Sequence, residues 1–464
     1  MKEFNPMIKP RLIPPLDEGF LPAALYNRWF DEKVKESGVG MPLLLGLERT
    51  DGHLSRFALQ VFAEDHPQFS ENYTYVERIL KSLLWMRGGW KVYVGGSQKI
   101  GAYIQKCYSA AGERQFDYQF MGESIYEKTF TVVNCSIAEV PTEKERHFPL
   151  GRHLDGCRIG FDLGASDVKV SAVVNGEAIF SEEIVWEPGK QTDTQYHRDQ
   201  ITKALKMAAA RMPRVDAIGG SSAGVIIDNR MMVASLFRGI PKEDFHQVHE
   251  IFQKMQKEWS VPLVVVNDGE VTALAGSMSL EENGILGIAL GSSEAGGYVN
   301  LQGNITDWLN ELAFVPVDLN PAAPLDEWSR DRGVGGLYFS QQCVFRLAGR
   351  AGISIPENIT NADKLKVAQE KLESGHRGAY QIWESIGIYM GYGIAHYARF
   401  YDLNHILILG RVTSGSGGQI ILDGANEVLR TEFPEISTRI KIQLPDEKSR
   451  RVGQSIAAAS LPIL

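Results

Sequence analysis

Three short apolar segments, each followed directly by a turn of glycine and small polar residues, limit most strongly what this chain can fold into. The segments and their turns are Cys157–Phe161 with Asp162–Ser166, Leu286–Leu290 with Gly291–Gly297, and His405–Leu409 with Gly410–Gly415. Such turns offer backbone N–H groups and small hydroxyls to a phosphate or nucleotide. A single one is often no more than a connection between elements. Three in one chain, together with a carboxylate at a strand end, indicate an α/β protein that binds an anionic ligand.

The rest of the chain also predicts an α/β fold, with more than one structural unit. An Asn175-Gly176 pair separates the strand-like Val168–Val174 from Ala178–Phe180, which predicts a hairpin. Farther along, strand-like and helical segments alternate, and the 464 residues suffice for two to four units. Five prolines among the first 35 or so residues predict an irregular arm there.

Composition excludes several classes of protein. The chain has 48 Lys+Arg against 57 Asp+Glu, a net charge of −9 that argues against broad binding to a phosphate backbone. We find no apolar run of about 18 residues and no signal-peptide pattern at the start, so we expect a protein without a membrane span. The four cysteines are scattered without metal-site spacing, which is typical of a reducing cytoplasm.

Two aspartates follow predicted strands and are candidates for chemistry. Asp268 comes after the strand Leu263–Val266 and before a helix, so its carboxylate should emerge at the carboxyl edge of a sheet as a general base. It could equally serve as a helix N-cap. Asp162 also ends a strand, and it is either a turn aspartate or a partner of Mg²⁺ or of a magnesium-bound water.

These motifs resemble the ROK family (repressors, open reading frames, kinases) of the actin, hexokinase and heat-shock ATPase superfamily. Asp162–Ser166 resembles the first phosphate motif, Asn267–Gly276 the catalytic-aspartate motif and Gly291–Gly297 the second phosphate motif. Gly391–Gly410 is similar to the adenosine segment and Gly453–Ala459 to the closing helix. The match runs in consistent order over about residues 155–464.

The resemblance implies an α/β, two-lobed actin-like (ribonuclease H-like) ATPase fold with an extra N-terminal α+β region. It divides the chain into an N-terminal extension (1–150), a first lobe (151–300) and a second lobe (301–464) whose last helix returns to the first. It also implies a kinase that uses ATP and Mg²⁺ to phosphorylate a sugar, with Asp268 as the catalytic base and Asp162 as the metal partner. The residues implied to bind substrate are Asn267, Glu311, Ser222, Ala223, Gly224 and Phe314. Those implied to bind nucleotide or phosphate are Gly164, Ser166, Gly291, Ser292, Ser293, Gly296, Gly410, Thr413, Ser414 and Gly415.

Several positions depart from the family pattern. Many members place a zinc-ligating histidine three residues after the sugar-binding glutamate, whereas here Phe314 follows Glu311 and no cysteine-rich loop follows, so we expect no zinc. Phe314 can stack on a sugar but cannot supply an imidazole hydrogen bond, and we therefore expect a substrate other than plain glucose. Asp167 and Glu294 add acids to the phosphate loops. They could bind additional Mg²⁺, mark loops that no longer bind ATP, or face solvent.

Three functions remain open from the sequence. The first is an ATP-dependent sugar kinase, the second a non-catalytic sensor or regulator of sugars or nucleotides, and the third another phosphotransferase or ATPase of the superfamily. Family repressors carry a basic recognition helix, which residues 36–150 lack, so we expect no DNA binding. The resemblance is compatible with a cytoplasmic homodimer.

Overall fold

The computed structural model describes residues 8–148, 151–445 and 447–464, with side chains described outside 147–148 and 447–452. The helices in chain order are α1 (Ala23–Ser37), α2 (Glu71–Arg87), α3 (Gln98–Cys107), α4 (Gln115–Gln119), α5 (Thr194–Ala209), α6 (Phe245–His249), α7 (Ile251–Trp259), α8 (Asp268–Leu280), α9 (Gln341–Ala348), α10 (Asn361–Glu373), α11 (Arg377–Tyr397), α12 (Gly417–Glu432), α13 (Pro434–Arg439) and α14 (Glu447–Ala459).

The strands complete a mixed α/β architecture. In chain order they are β1 (Gly40–Glu48), β2 (Leu54–Phe62), β3 (Lys91–Gly95), β4 (Thr131–Cys135), β5 (His147–Phe148), β6 (Cys157–Leu163), β7 (Asp167–Val174), β8 (Glu177–Val185), β9 (Ala217–Ser222), β10 (Val225–Ile227), β11 (Arg230–Val233), β12 (Leu263–Asn267), β13 (Ile285–Leu290), β14 (Glu294–Val299), β15 (Ile305–Thr306), β16 (His405–Leu409) and β17 (Lys441–Gln443).

The described residues form two compact units. Unit 1 contains those up to Arg146 together with Ile288–Ala295 and Trp308–Leu444. Unit 2 contains those of His147–Gly287, Gly296–Asp307 and Pro445–Leu464. The three-segment division inferred from the motifs stays a prediction.

Unit 2 is built on a five-stranded sheet of order β12-β9-β6-β7-β8. Strands β12, β9 and β6 run parallel, while β7 and β8 form the antiparallel hairpin predicted from Asn175-Gly176. Both turn residues have positive φ, 49° and 85°, as a tight hairpin turn requires. Helix α14 lies so close to this sheet that a Cβ on Gly219 would come within 1.7 Å of the Ala458 carbonyl oxygen.

Unit 1 contains a four-stranded sheet of order β2-β1-β3-β4 and most of the helices. Its core includes α1 (Ala23–Ser37), so the prediction of an irregular arm over the first 35 or so residues is wrong from Ala23 onward. Residues 1–7 lie outside the described part of the chain. The proline-rich stretch ends at Pro22, and α1 begins at the next residue. Proline at a helix start is tolerated because the first N–H groups have no helical partner, so prolines there do not exclude a following helix. Within the described residues, no helix has the length and apolarity needed to cross a bilayer.

Candidate active site

The carboxyl ends of three parallel strands of unit 2 bring several of the predicted residues to one edge of the sheet. Asp162 on β6 is paired in register with Ser221 on β9, and Ser222 on β9 is paired with Asn267 on β12. Asp268 follows directly as the first residue of α8. Because ligands of α/β sheets bind beyond the carboxyl ends of parallel strands, this edge is the natural place for a reaction centre.

Asp162 is half-buried and only partly neutralised by its neighbours. The Ser221 hydroxyl donates to Asp162 Oδ1 at 2.7 Å, and Lys169 Nζ lies 3.8 Å from Oδ2. Burial raises the pKa of Asp162, and the charge of Asp167 raises it further, while the Ser221 and Lys169 contacts oppose the shift. A carboxylate in this state attracts a cation or the water bound to one.

Asp268 is a half-buried carboxylate whose pKa is raised to about 6, first by burial and second by the negative charge of Asp162. The alternative role of Asp268, helix N-cap, belongs to Asn267, whose Oδ1 accepts from the Gly269 N–H at 2.8 Å. Asp268 Oδ1 also accepts from that N–H, at 2.9 Å. A carboxylate with a near-neutral pKa is well matched to accepting a proton at neutral pH.

The predicted substrate loop of unit 2 is held against this aspartate-bearing turn. Asn267 Nδ2 donates to the Gly224 carbonyl oxygen at 2.8 Å. Both polar atoms of the Asn267 side chain are therefore hydrogen-bonded to the backbone, Nδ2 to Gly224 and Oδ1 to Gly269. Ser222 is fully buried, Ala223 is half-buried, and the Ser222 hydroxyl donates to the Ala223 carbonyl at 3.3 Å. Asn267 therefore ties the 222–224 loop to the start of α8, and its contact with a sugar stays a prediction.

The first predicted phosphate turn is a tight connection from β6 to β7. The Gly164 N–H donates to the Asp167 carbonyl at 2.9 Å, and the exposed Ser166 hydroxyl donates to Asp167 Oδ2 at 2.8 Å. Lys169 Nζ lies 3.3 Å from the other Asp167 oxygen. Asp167 is thus half-buried and engaged by Ser166 and Lys169, which corrects the solvent-facing alternative.

Gly296 lies against the first turn of α8. A Cβ on Gly269 would come within 2.2 Å of the Gly296 carbonyl oxygen, and one on Gly297 within 1.9 Å of the Gly269 carbonyl oxygen. Only glycines allow this close approach of the two backbones. The predicted phosphate residue Gly296 is therefore beside the helix turn that begins with Asp268.

In unit 1, two of the predicted phosphate loops are neighbours. Gly410 has a φ of 104°, and a Cβ there would come within 2.4 Å of the carbonyl oxygen of Leu290, the residue before Gly291. Ser292 and Ser293 are exposed, and the Gly291 N–H donates to the Ser293 carbonyl at 3.0 Å.

The Gly410–Gly415 loop closes on itself. The Thr413 hydroxyl donates to the Gly410 carbonyl at 2.8 Å, and the Ser414 N–H donates to the Arg411 carbonyl at 3.3 Å. Gly415 has a φ of 65°, which favours glycine. The Thr413 hydroxyl is thus used inside the loop, whereas exposed Ser414 has a hydroxyl facing solvent.

Glu294 lies in the interior of unit 1, which also corrects its solvent-facing alternative. Its side chain is buried, and Oε1 accepts from the Tyr397 hydroxyl at 2.9 Å, while Oε2 has no hydrogen-bond partner among the described residues. Burial raises the pKa of Glu294 to about 8. At neutral pH this group is a neutral carboxylic acid, so it does not repel a phosphate.

Glu311 and Phe314, the remaining predicted substrate residues, are also in unit 1 and are half-buried. The ring centroid of Phe314 is 4.2 Å from that of Trp85 on α2, and the Glu311 N–H donates to the Trp85 carbonyl at 3.0 Å. Sequence reasoning did not find Trp85, because nothing local marks a residue of α2 as a neighbour of residues 311–314. Among the described residues, no group of histidine, cysteine or acidic side chains is arranged to hold a metal by itself. The absence of zinc stays a prediction.

Comparisons with known proteins address the fold. Neither a family model nor a curated protein matches the sequence. The structure matches a ROK hexokinase from Thermus thermophilus at 15% identity and a TM-score of 0.52, over 65% of this chain and 97% of that one. It also matches a ROK family transcriptional regulator, described as a homolog of the E. coli MLC protein, at 16% identity and a TM-score of 0.51, over 66% of this chain and 79% of that one.

The chain therefore has a mixed α/β fold that it shares with these two proteins. More particularly, it has the fold of ROK-family proteins, so the fold predicted from the motifs is confirmed.

Proposed function

We propose that this chain is an ATP-dependent sugar kinase in which Asp268 takes the proton from the acceptor hydroxyl. The observation that carries the proposal is the position of Asp268 at the carboxyl edge of three parallel strands, beside Asp162, with a pKa raised to about 6. The structural likeness to a protein described as a ROK hexokinase supports the same class of reaction.

The residues at this edge fit Mg²⁺. Burial raises the pKa of both Asp162 and Asp268, and the charge of Asp162 raises that of Asp268 further. An oxygen-seeking divalent cation would lower this cost of ionisation. Asp162 would hold it directly or through water, because among the described side chains Oδ2 is paired only with Lys169, at 3.8 Å. When bound, Mg²⁺ with ATP supplies the phosphoryl group and offsets charge on its oxygens.

The chain's own residues then have distinct tasks. Asp268 accepts the proton as the acceptor oxygen forms its bond to the γ-phosphorus and the bond to the leaving ADP oxygen breaks. Ser221 holds one oxygen of Asp162, and Asn267 holds the first turn of α8 and hence the backbone of Asp268. The exposed hydroxyl of Ser292 is available to a phosphate oxygen, whereas the Ser166 hydroxyl would have to leave Asp167 to reach one.

We propose a carbohydrate or polyol other than plain glucose as the acceptor. Glu311 can accept hydrogen bonds from sugar hydroxyls, and Phe314 offers an aromatic surface to an apolar sugar face. A phenylalanine cannot donate the hydrogen bond of an imidazole, so an acceptor that depends on that bond would bind poorly.

ADP release measured with a panel of sugars and polyols, in the presence of Mg-ATP, tests the proposal. We expect turnover with at least one acceptor, weaker turnover with glucose, and loss of turnover in Asp268→Asn with fold and nucleotide affinity retained. Asp199→Asn is the matched control, because it makes the same chemical change at an exposed position of α5 in the same unit. Unchanged turnover in Asp268→Asn would remove this residue from the mechanism.

A second candidate is a sensor that binds carbohydrate or nucleotide without catalysis. The likeness to a ROK transcriptional regulator, with a TM-score similar to that of the hexokinase, favours keeping it. A chain that binds a member of the panel by calorimetry but forms no ADP with any of them would be a sensor rather than a kinase.

A further inference from the structure

The C-terminal end of α2 is bonded to the segment that bears the predicted acceptor residues. The last four carbonyls of a helix have no partner within it. Here the Trp85 carbonyl accepts from the Glu311 N–H at 3.0 Å, and the Met86 carbonyl accepts from the Asn310 N–H at 2.9 Å. Asn310 has a φ of 53°, and its Oδ1 accepts from the Tyr401 hydroxyl at 3.0 Å. The backbone at 310–311 is thus held from two sides.

The side chain of Trp85 supports the same segment. Trp85 is fully buried, and its ring lies 4.2 Å from Phe314, centroid to centroid, at an angle of 33°. Phe116 lies 5.7 Å from Phe314 and 6.0 Å from Trp85. One side of Phe314 is therefore covered by aromatic rings from the N-terminal region, while the half-buried residue keeps part of its surface accessible.

Trp85 is in turn held by a buried ion cluster. Its indole N–H donates to Asp117 Oδ1 at 2.6 Å, and the same carboxylate accepts from Lys81 Nζ at 3.1 Å. Lys81 also lies 3.1 Å from Asp331 Oδ2.

The same cluster fixes the loop that follows Phe314. Asp331 accepts from Arg78 at 2.8 Å and pairs with Arg114 at 3.0 Å, and Glu77 pairs with both arginines at 2.6 Å. The six members, three cations and three anions, are all at least nine-tenths buried, and their charges cancel. Removing one member of such a cluster leaves an unpaired buried charge and is strongly destabilising, so the cluster holds these segments together.

We infer that Trp85 is a positioning residue for the acceptor site, so that the N-terminal region helps to select the acceptor. The inference rests on the proposed sugar kinase and extends it. Trp85 sets the angle of the Phe314 ring through its side chain and the place of Glu311 through its carbonyl. The supported ring of Phe314 fits a carbohydrate acceptor with an apolar face. That face would contact Phe314 on the side away from Trp85.

Kinetics of Trp85→Leu and Trp85→Phe test this inference. Leucine removes the ring that supports Phe314, and we expect the KM for the acceptor to rise at least about tenfold with a smaller change in kcat. Phenylalanine keeps an aromatic ring, and its KM should stay within about threefold of the wild type. Affinity for Mg-ATP, measured by calorimetry, should be unchanged in both. Trp85→Met gives a second variant if leucine prevents folding, because methionine fills irregular space.

Phe30→Leu is the matched control. Phe30 is fully buried and stacks at 3.7 Å on Tyr75, which is on the same helix α2 but away from residues 310–314. A purely structural role predicts that Trp85→Leu and Phe30→Leu both lower the active fraction without changing the acceptor KM, and that result would overturn the inference.

The design separates this inference from the proposed function. If the wild type phosphorylates no acceptor, the kinase proposal fails, and calorimetry with the same panel then tests Trp85 through acceptor affinity alone. Weaker binding in Trp85→Leu but not in Phe30→Leu would uphold the inference. Equal binding in the two variants, or no carbohydrate binding by the wild type, would overturn it.

Discussion

Replacing Glu294 by glutamine should raise the stability of unit 1 relative to the wild type as the pH rises, by an amount that proton linkage defines. In the wild type, Glu294 is 3% exposed and its carboxyl accepts one hydrogen bond, from Tyr397. Within the described part of the chain, its Oε2 has no hydrogen-bond partner. Burial raises its pKa from 4.5 to about 8. Between these two values the folded chain holds a proton on Glu294 that the unfolded chain releases.

The magnitude follows from proton linkage. When the folded state binds one proton more than the unfolded state, the free energy of unfolding falls by about 1.4 kcal/mol for each unit of rising pH. The stabilisation that comes from protonated Glu294 is therefore fully present below pH 4.5. It decreases as the pH rises from 4.5 to about 8, by about 5 kcal/mol in total. Glutamine does not titrate. The free energy of unfolding of Glu294→Gln should therefore rise, relative to that of the wild type, by about 3 kcal/mol between pH 4.5 and pH 7. Any cost of fitting the amide group is the same at every pH.

Urea unfolding followed by tryptophan fluorescence, at five or more pH values from 4.5 to 8.5, measures this difference. Other titrating groups cancel because they are common to both proteins. Glu357→Gln makes the same change at an exposed position and should keep a constant difference from the wild type. A constant difference for Glu294→Gln as well would refute the reasoning, since it would mean that no proton is taken up at Glu294 on folding.

Three further outcomes are expected. Log kcat/KM of the proposed kinase should rise with unit slope up to about pH 6 and then level off, because Asp268 must be ionised to accept a proton. Saturating Mg²⁺ should move the inflection of this profile to lower pH. A profile that does not change with pH would exclude Asp268 as the base. Gly219→Ala should cost about 3 kcal/mol in urea unfolding, because its Cβ would meet the Ala458 carbonyl oxygen. Removal of residues 1–146 should destabilise what remains of unit 1, because Asp331 would lose its partners Arg78 and Arg114 and keep a buried charge. A remainder as resistant to urea as the full chain, and as active, would contradict this.

The candidate site could be predicted where its geometry is local. A strand followed by a small-residue turn places its next side chains at a sheet edge, and this held for Asp162 and Asp268. The hairpin at Asn175-Gly176 was predictable for the same reason, since the turn residues themselves require positive φ. The start of α1 was missed because prolines indicate where a helix cannot continue, not where the next one begins.

Residue types and their local order thus sufficed for the strands, the turns and the position of the two aspartates at a sheet edge, because each depends on a few neighbouring residues and on the fixed directions of parallel strands. The burial of Glu294, the near-neutral pKa of Asp268 and the support of Phe314 by Trp85 arose only in the folded chain. A pKa depends on solvent exclusion and nearby charge, and a ring contact depends on which distant elements meet. Both are properties of packing between segments far apart in sequence, which no local pattern records.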